Sequence, residues 1–148
     1  MNELYRLHDN IGFYINFTAR TMKNAMTKTF HDHGYEITAD QWPVLAMLWY
    51  KDGRPQKEIT DEAYREKTMM TRLIDSLEKK NLILRIPDSK DKRNNLIYLT
   101  NEGKELQAKL MPLVIGLEEA AVEGISEKDL KCTMDILLRI YENLTKNV

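Results

Sequence analysis

A single β-hairpin in an otherwise helical chain is the feature that most restricts how this sequence can fold. Two short apolar runs, Leu82–Ile86 and Asn95–Leu99, have the composition of strands. The connection between them, residues 87–94, is longer than strand pairing requires. Because an isolated two-stranded hairpin is only marginally stable, this hairpin must pack against the neighbouring helices.

The first part of the chain has helical periodicity over residues 4–31. A helix of that length is about 42 Å long, whereas a globule of this size has a radius of gyration of about 15 Å. The helix, which should end near Gly34, therefore leaves part of its apolar stripe uncovered. We expect a second copy of the chain to cover it.

Three shorter helices are predicted before the hairpin. The capping box Thr38-Ala39-Asp40-Gln41 starts the first of them, and Pro43 one turn later should distort it locally. The second covers about 55–63, with a proline at its first position. The third runs from about Lys67 to Lys80, and Asn81 can end it in the left-handed conformation.

Two more helices follow the hairpin, the first capped by Thr100 and kinked at Pro112, the second starting at Ser126. This order predicts a mainly α fold: a winged helix-turn-helix with flanking N- and C-terminal dimerisation helices and a two- to three-stranded β wing. The 148 residues match the usual size of one domain, about 150 residues. We therefore expect one domain over 1–148, with a winged-helix module at about 37–100 and a helical dimerisation region at about 1–34 and 101–148.

The composition excludes several classes of protein. The longest apolar run has seven residues, far from the roughly 20 that span a bilayer, so no membrane association is expected. No signal peptide is visible, and a single cysteine, Cys132, fits a reducing cytoplasm. The net charge is −1, but residues 54–93 hold 11 Lys/Arg against 8 Asp/Glu, so the middle of the chain is basic. This uneven distribution of charge is compatible with a local anion-binding face, and it could also arise by chance.

The polar stripe of the helix at about 67–80 is the first candidate for DNA contact. Arginine can bind guanine with two hydrogen bonds, and threonine can contact a base, a phosphate or a thymine methyl group. Asp75 on the same stripe would repel phosphate, accept from a cytosine amino group, or orient Arg72. A solvated helix face is the alternative interpretation. The stripe consists of Lys67, Thr68, Thr71, Arg72 and Asp75.

Three motifs in this order resemble the MarR (multiple antibiotic resistance regulator) family of bacterial transcription factors. They are Ile37-Thr38-x-x-Gln41-Trp42-x-Val44-Leu45, Thr71-Arg72-x4-Leu77-Glu78-Lys79-Lys80-Asn81-Leu82-Ile83-x-Arg85, and Asp88-x-x-Asp91-Lys92-Arg93-x5-Leu99-Thr100-x-x-Gly103. Three departures stand out: Asn81 replaces the usual glycine, Pro43 is unusual inside the second helix, and the connection Ala63-Tyr64-Arg65 lacks the common glycine.

The resemblance implies roles for the wing. Arg93 should enter the minor groove, where an arginine side chain meets strong negative potential. Asp91 should hold the shape of the loop, and Lys90 and Lys92 should lie near phosphates. Further phosphate candidates are Arg54, Lys57 and Arg65.

Members of the family often bind a small aromatic or anionic effector between the dimerisation helices and the DNA-binding module. Ordinary packing is the alternative explanation for each candidate residue here. The candidates are His8, Ile11, Gly12, Ile15, Arg20, Trp42 and Trp49.

The sequence thus predicts a homodimeric regulator that binds double-stranded DNA at a pseudo-palindromic operator, as a ligand-responsive repressor. The alternative is a dimeric protein-interaction module of the same fold that has lost DNA binding, which the net charge and Asp75 favour. No catalytic motif is present, and no cofactor or metal is expected: His31-Asp32-His33 does not place two histidines on one helix face. The operator, the effector and the direction of regulation stay open.

Overall fold

The computed structural model of the protein describes residues 6–146, and it contains six α-helices and one three-stranded antiparallel sheet within that range. The elements, in chain order, are α1 (Ile11–Asp32), α2 (Trp42–Tyr50), β1 (Arg54–Pro55), α3 (Gln56–Glu62), α4 (Lys67–Lys79), β2 (Ile83–Pro87), β3 (Asn95–Leu99), α5 (Asn101–Ala121) and α6 (Glu127–Thr145). The mainly α winged-helix fold that the sequence predicted is confirmed.

The start of α1 corrects the prediction of a helix over 4–31. Residues 4 and 5 lie outside the described range, and Leu7–Asp9 form a 3-10 turn rather than part of an α-helix. Asn10 is extended, and its side-chain oxygen accepts a hydrogen bond from the backbone N–H of Phe13 at 3.3 Å. An asparagine that caps the first turn ends the helix on its N-terminal side, although the apolar spacing continues beyond it. The predicted end is confirmed, because Gly34 takes a φ of +84°.

The capping box in front of α2 is present. The Gln41 N–H donates to Thr38 Oγ1 at 3.2 Å, and the Thr38 N–H donates to Gln41 Oε1 at 3.1 Å. Because α2 itself begins at Trp42, Pro43 lies in its first turn, where a missing N–H costs no helical hydrogen bond. The local distortion expected at Pro43 was therefore a wrong prediction.

The sheet has the strand order β1-β3-β2. The pair β2–β3 is the predicted hairpin, with Arg85 opposite Ile97. The third strand consists of two residues that the sequence assigned to a turn and to the start of a helix, and Pro55 caps α3 rather than opening it. Gly103 in α5 packs against the start of the wing so closely that a Cβ there would lie 2.1 Å from the Leu82 carbonyl oxygen.

Two residues outside glycine adopt positive φ and shape the ends of the helix-turn-helix. Asn81, at φ 58°, follows α4 as predicted. Tyr64, at φ 52°, turns the chain between α3 and α4, in the connection that lacks the glycine common in the MarR family. Asparagine tolerates this conformation better than tyrosine, for which it is an uncommon backbone state.

The described chain divides into two compact units, one up to Val114 and one from Ile115 onwards. The first unit contains the apolar core, whose most deeply buried members are Leu45, Ile59, Met70, Ile74, Leu77, Ile97 and Leu110. In the second unit, Ser126 caps α6 by accepting from the Asp129 N–H at 3.1 Å. The single domain over 1–148 stays a prediction. None of the described helices combines the length and apolarity needed to cross a bilayer.

Candidate nucleic-acid interface

A groove of about 830 Å³ opens between α3, α4 and the wing loop (residues 88–94) in the N-terminal unit. We call it the cationic groove, because five of its twelve lining residues are Lys or Arg and one is acidic. The lining residues are Pro55, Gln56, Lys57, Thr60, Asp61, Arg65, Lys67, Thr71, Arg85, Arg93, Asn94 and Asn95.

The groove brings together predicted site residues from two distant parts of the chain. Lys67 and Thr71 come from α4, and Arg93 comes from the wing loop. The opposite stripe of α4 is buried in the core, which holds the polar stripe outward. Thr68 and Arg72 are exposed on α4 but do not line the groove.

Two aspartates shape the wing loop. Asp91 Oδ1 accepts from the Arg93 backbone N–H at 3.1 Å and lies 3.5 Å from Arg93 Nε. Asp88 Oδ1 accepts from the Lys90 N–H at 3.0 Å. The Arg93 side chain is 93% exposed, as expected of a group that would reach for a ligand. Lys90 and Lys92 are exposed beside it.

Arg85 was missed as a site residue by the sequence analysis. Its guanidinium lies 2.5 Å from Asp75 Oδ1 and 3.0 Å from Glu78 Oε1, and its backbone N–H donates to Glu78 Oε2 at 3.2 Å. Arg85 therefore ties β2 to α4 and balances the negative charge on the polar stripe. Asp75 pairs with Arg85 and not with Arg72, so its suggested role in orienting Arg72 is corrected.

Arg54 does not face the groove, which corrects its expected role as a phosphate contact. Its side chain is 4% exposed and is bonded to Glu62 and, at 2.8 Å, to Glu58. The Glu62 hydrogen bond raises the pKa of the Arg54 guanidinium in spite of its burial. The cause is pairing with α3: Glu58 and Glu62 both bind the Arg54 side chain and hold it away from solvent.

The other two phosphate candidates do line the groove, and both have acidic partners. Lys57 Nζ lies 2.8 Å from Asp61, and that hydrogen bond raises the pKa of Lys57. Arg65 lies 2.7 Å from Asp40 Oδ1, which also accepts from Lys23 of α1 at 2.9 Å. Partial burial of Asp40 acts to raise its pKa, but the hydrogen bonds from Lys23 and Arg65 outweigh burial and lower it. Asp40 thus links α1 to the edge of the groove.

The residues proposed to bind an effector fall into separate groups. His8 stacks edge-on against Phe13, with ring centroids 5.2 Å apart. Trp42 and Trp49 lie 5.6 Å apart, and Trp49 Nε1 donates to the Gly103 carbonyl at 2.8 Å. Ile11, Gly12 and Ile15 lie in the first turns of α1, and Arg20 is exposed further along it, with no ion-pair partner among residues 6–146. For metals, the described residues contain no group of three or more potential ligands.

Comparison with known proteins finds a family model that matches the region around this groove. Residues 37–94, which include α2 to α4 and most of the wing, match the model of the MarR family. The HTH-type transcriptional regulator MhqR of Bacillus subtilis (strain 168) is 26% identical over 124 residues, 84% of each chain.

Solved structures share the fold over nearly the whole length. The complex of S. aureus MepR with DNA superposes with a TM-score of 0.80 at 24% identity, covering 90% of this chain and 98% of that one. CouR from Rhodococcus jostii RHA1, bound to p-coumaroyl-CoA, superposes with a TM-score of 0.77 at 24% identity, covering 91% and 94%. The chain is therefore similar to the MarR family over residues 37–94, and it shares the fold of the solved MepR and CouR structures over nearly its whole length.

Proposed function

We propose that this protein is a transcriptional regulator of the MarR type, that it binds a pseudo-palindromic DNA site as a homodimer, and that a small ligand weakens this binding so that the protein acts as a repressor. The observation that carries the proposal is the cationic groove, where Lys67 and Thr71 of α4 share one surface with Arg93 of the wing. A helix fits the major groove of DNA, and an arginine on the adjacent loop fits the minor groove.

Charge supports DNA as the occupant of the groove. The one acidic lining residue, Asp61, is paired with Lys57, and Asp75 beside the groove is paired with Arg85. The wing arginine keeps its guanidinium in solvent, so it can contact DNA without first breaking a buried ion pair. Phosphate contacts by such groups release counterions, and the affinity should fall steeply with salt.

The terminal helices support dimerisation. Among the described residues of α6 none is buried, and its apolar stripe includes Met134, Leu138 and Leu144, which are 62%, 44% and 69% exposed. On α1, Ile11 and Met22 are 61% and 52% exposed. Two copies related by a two-fold axis would present two α4 helices about 34 Å apart, the spacing of successive major grooves.

A structural neighbour that binds a small molecule supports ligand control. CouR was solved with p-coumaroyl-CoA, an aromatic and anionic molecule, and it shares the fold of this chain. In this protein, the aromatic residues His8, Trp42 and Trp49 and the exposed Arg20 are the candidates for an aromatic or anionic effector. Such a ligand acts only if it binds one spacing of the two DNA-binding modules better than the other.

A dimeric interaction module without DNA binding is the second candidate. The net charge of −1 favours it. Asp75 no longer favours the interaction module, because Arg85 balances its charge.

The decisive experiment measures DNA binding of the full chain at two salt concentrations, with sites selected from a genomic pool. Arg93→Ala should weaken binding to every selected site by about 10-fold per half-site and reduce the salt dependence by about one counterion. Lys104→Ala, an exposed charge on α5 outside the groove lining, is the matched control and should change little. Absence of salt-dependent binding in the unsubstituted protein would favour the interaction module.

A further inference from the structure

The hydroxyl of Thr71 makes two hydrogen bonds within the protein. Its proton goes to the Lys67 carbonyl one turn earlier, at 2.9 Å, and its oxygen accepts from Nε2 of Gln56 at 3.1 Å. A threonine hydroxyl has one proton to donate and two lone pairs with which to accept. Thr71 therefore has no proton left for the acceptor atoms of guanine or for O4 of thymine.

Gln56 holds this arrangement from a neighbouring helix. It is the first residue of α3, follows Pro55 directly, and lines the cationic groove beside Thr71. The contact joins the two helices of the helix-turn-helix at the groove surface, and it fixes the threonine rotamer as well as its hydrogen bonds.

We propose that Thr71 recognises DNA through its methyl group, by apolar contact with the 5-methyl of a thymine, and that Gln56 is the positioning residue that makes this contact specific. The inference rests on the DNA-binding function proposed above. A base amino group would have to use the last lone pair of an oxygen that is already hydrogen-bonded twice. The methyl group makes no such demand, and contact between threonine and the thymine methyl is a known mode of major-groove recognition.

Replacing thymine by deoxyuridine removes only the 5-methyl group and leaves every hydrogen bond of the base pair intact. Duplexes carrying the selected consensus site should therefore be synthesised with each thymine replaced in turn, and the full chain titrated against them. At one thymine per half-site the affinity should fall by about 4-fold, the effect of one buried methyl group. The other thymines serve as internal controls.

Three substitutions separate the methyl group from the hydroxyl. Thr71→Val keeps a methyl and loses the hydroxyl, so it should retain discrimination between thymine and uracil at that position. Thr71→Ser keeps the hydroxyl and loses the methyl, so it should bind both duplexes equally. Gln56→Ala should reduce the discrimination by releasing the rotamer of Thr71, whereas Lys57→Ala, also in the groove, should weaken binding to both duplexes alike.

The outcomes distinguish this inference from the function on which it rests. If the unsubstituted protein binds selected DNA with normal salt dependence but no thymine position responds to uracil, the methyl contact is refuted and the proposed function stands. Full retention of discrimination in Thr71→Ser would show that another side chain contacts the thymine methyl group, and it would refute the assignment to Thr71. Thermal unfolding of each variant, unchanged from that of the parent, verifies that all of them are folded.

Discussion

The two compact units of this protein treat their apolar side chains in opposite ways. In the unit up to Val114, Ile59, Met70 and Ile74 have no exposed surface and belong to one core. In the unit from Ile115 onwards, the described residues of α6 include none that is buried, although they include Met134, Leu138 and Leu144. The same pattern of leucines and methionines thus stabilises the chain in one unit and stays uncovered in the other.

The difference assigns separate tasks to the two units. Burial of apolar surface contributes about 25 cal/mol per Å², so the first unit gains most of its stability from its own residues. Soluble monomers rarely expose large contiguous apolar patches, and the stripe of α6 is therefore best explained as an interface. Folding of the first unit and assembly of the proposed dimer should respond to different substitutions, and each prediction below tests that separation.

The largest effect is expected from a charge in the stripe of α6. Leu138→Glu places a carboxylate in the proposed interface twice, once per subunit, and should raise the dimer dissociation constant on the order of 1000-fold. Analytical ultracentrifugation over a range of concentrations measures it. Lys128→Gln changes the net charge by the same amount on the other face of the helix and should leave the dimer intact. A dimer that persists in Leu138→Glu would remove the argument for α6 as an interface.

A core substitution should affect folding instead. Ile74 on α4 has no exposed surface, and Ile74→Ala should lower the free energy of unfolding by roughly 3 kcal/mol through lost burial and a residual cavity. Urea unfolding at several protein concentrations measures this effect, which should be the same at each concentration. Leu138→Ala should change only the part of the unfolding free energy that depends on protein concentration. If unfolding of the two variants depended on protein concentration in the same way, folding and dimerisation would not be separated between the two units.

Local patterns explain why much of the fold was predictable from the sequence. Helix α4, strand β3, the capping box at Thr38 and the turn at Asn81 depend on residues within a few positions of one another. Lys67, Thr71 and Arg93 were also identified, and the structure places them in one groove.

The errors and omissions involve contacts between distant residues or competition between local signals. Arg54 was misassigned because the basic residue was expected to face a phosphate, whereas Glu58 and Glu62 of α3 bind its side chain and bury it. Arg85 and Gln56 were missed because their partners, Asp75 and Thr71, lie on another element. At the start of α1 the apolar spacing continued, but the cap at Asn10 prevailed.

The smallest effect is expected at Asp40, whose ion pairs add to the apolar core within the first unit. Hydrogen bonds from Lys23 and Arg65, which outweigh the opposing effect of burial, lower the pKa of this carboxyl below its ordinary value of 3.8. A carboxyl whose pKa is lower in the folded protein than in the unfolded chain stabilises the fold at pH values above the unfolded-state pKa. This stabilisation is lost as the pH falls through the pKa of the folded state. Asp40→Asn should cost about 0.5–1 kcal/mol at pH 7, since the carboxylate is 31% exposed and screened by solvent.

The pH dependence is what distinguishes this effect from a simple loss of packing. The difference in unfolding free energy between the parent and Asp40→Asn should shrink as the pH falls from 5 towards 3, because protonation of Asp40 removes the same interaction. Asp61→Asn is the matched control: it disrupts the exposed pair with Lys57 and should leave the urea midpoint unchanged at every pH. A difference for Asp40→Asn that stays constant down to pH 3 would mean that this carboxylate contributes by its shape, and that the first unit depends on packing alone.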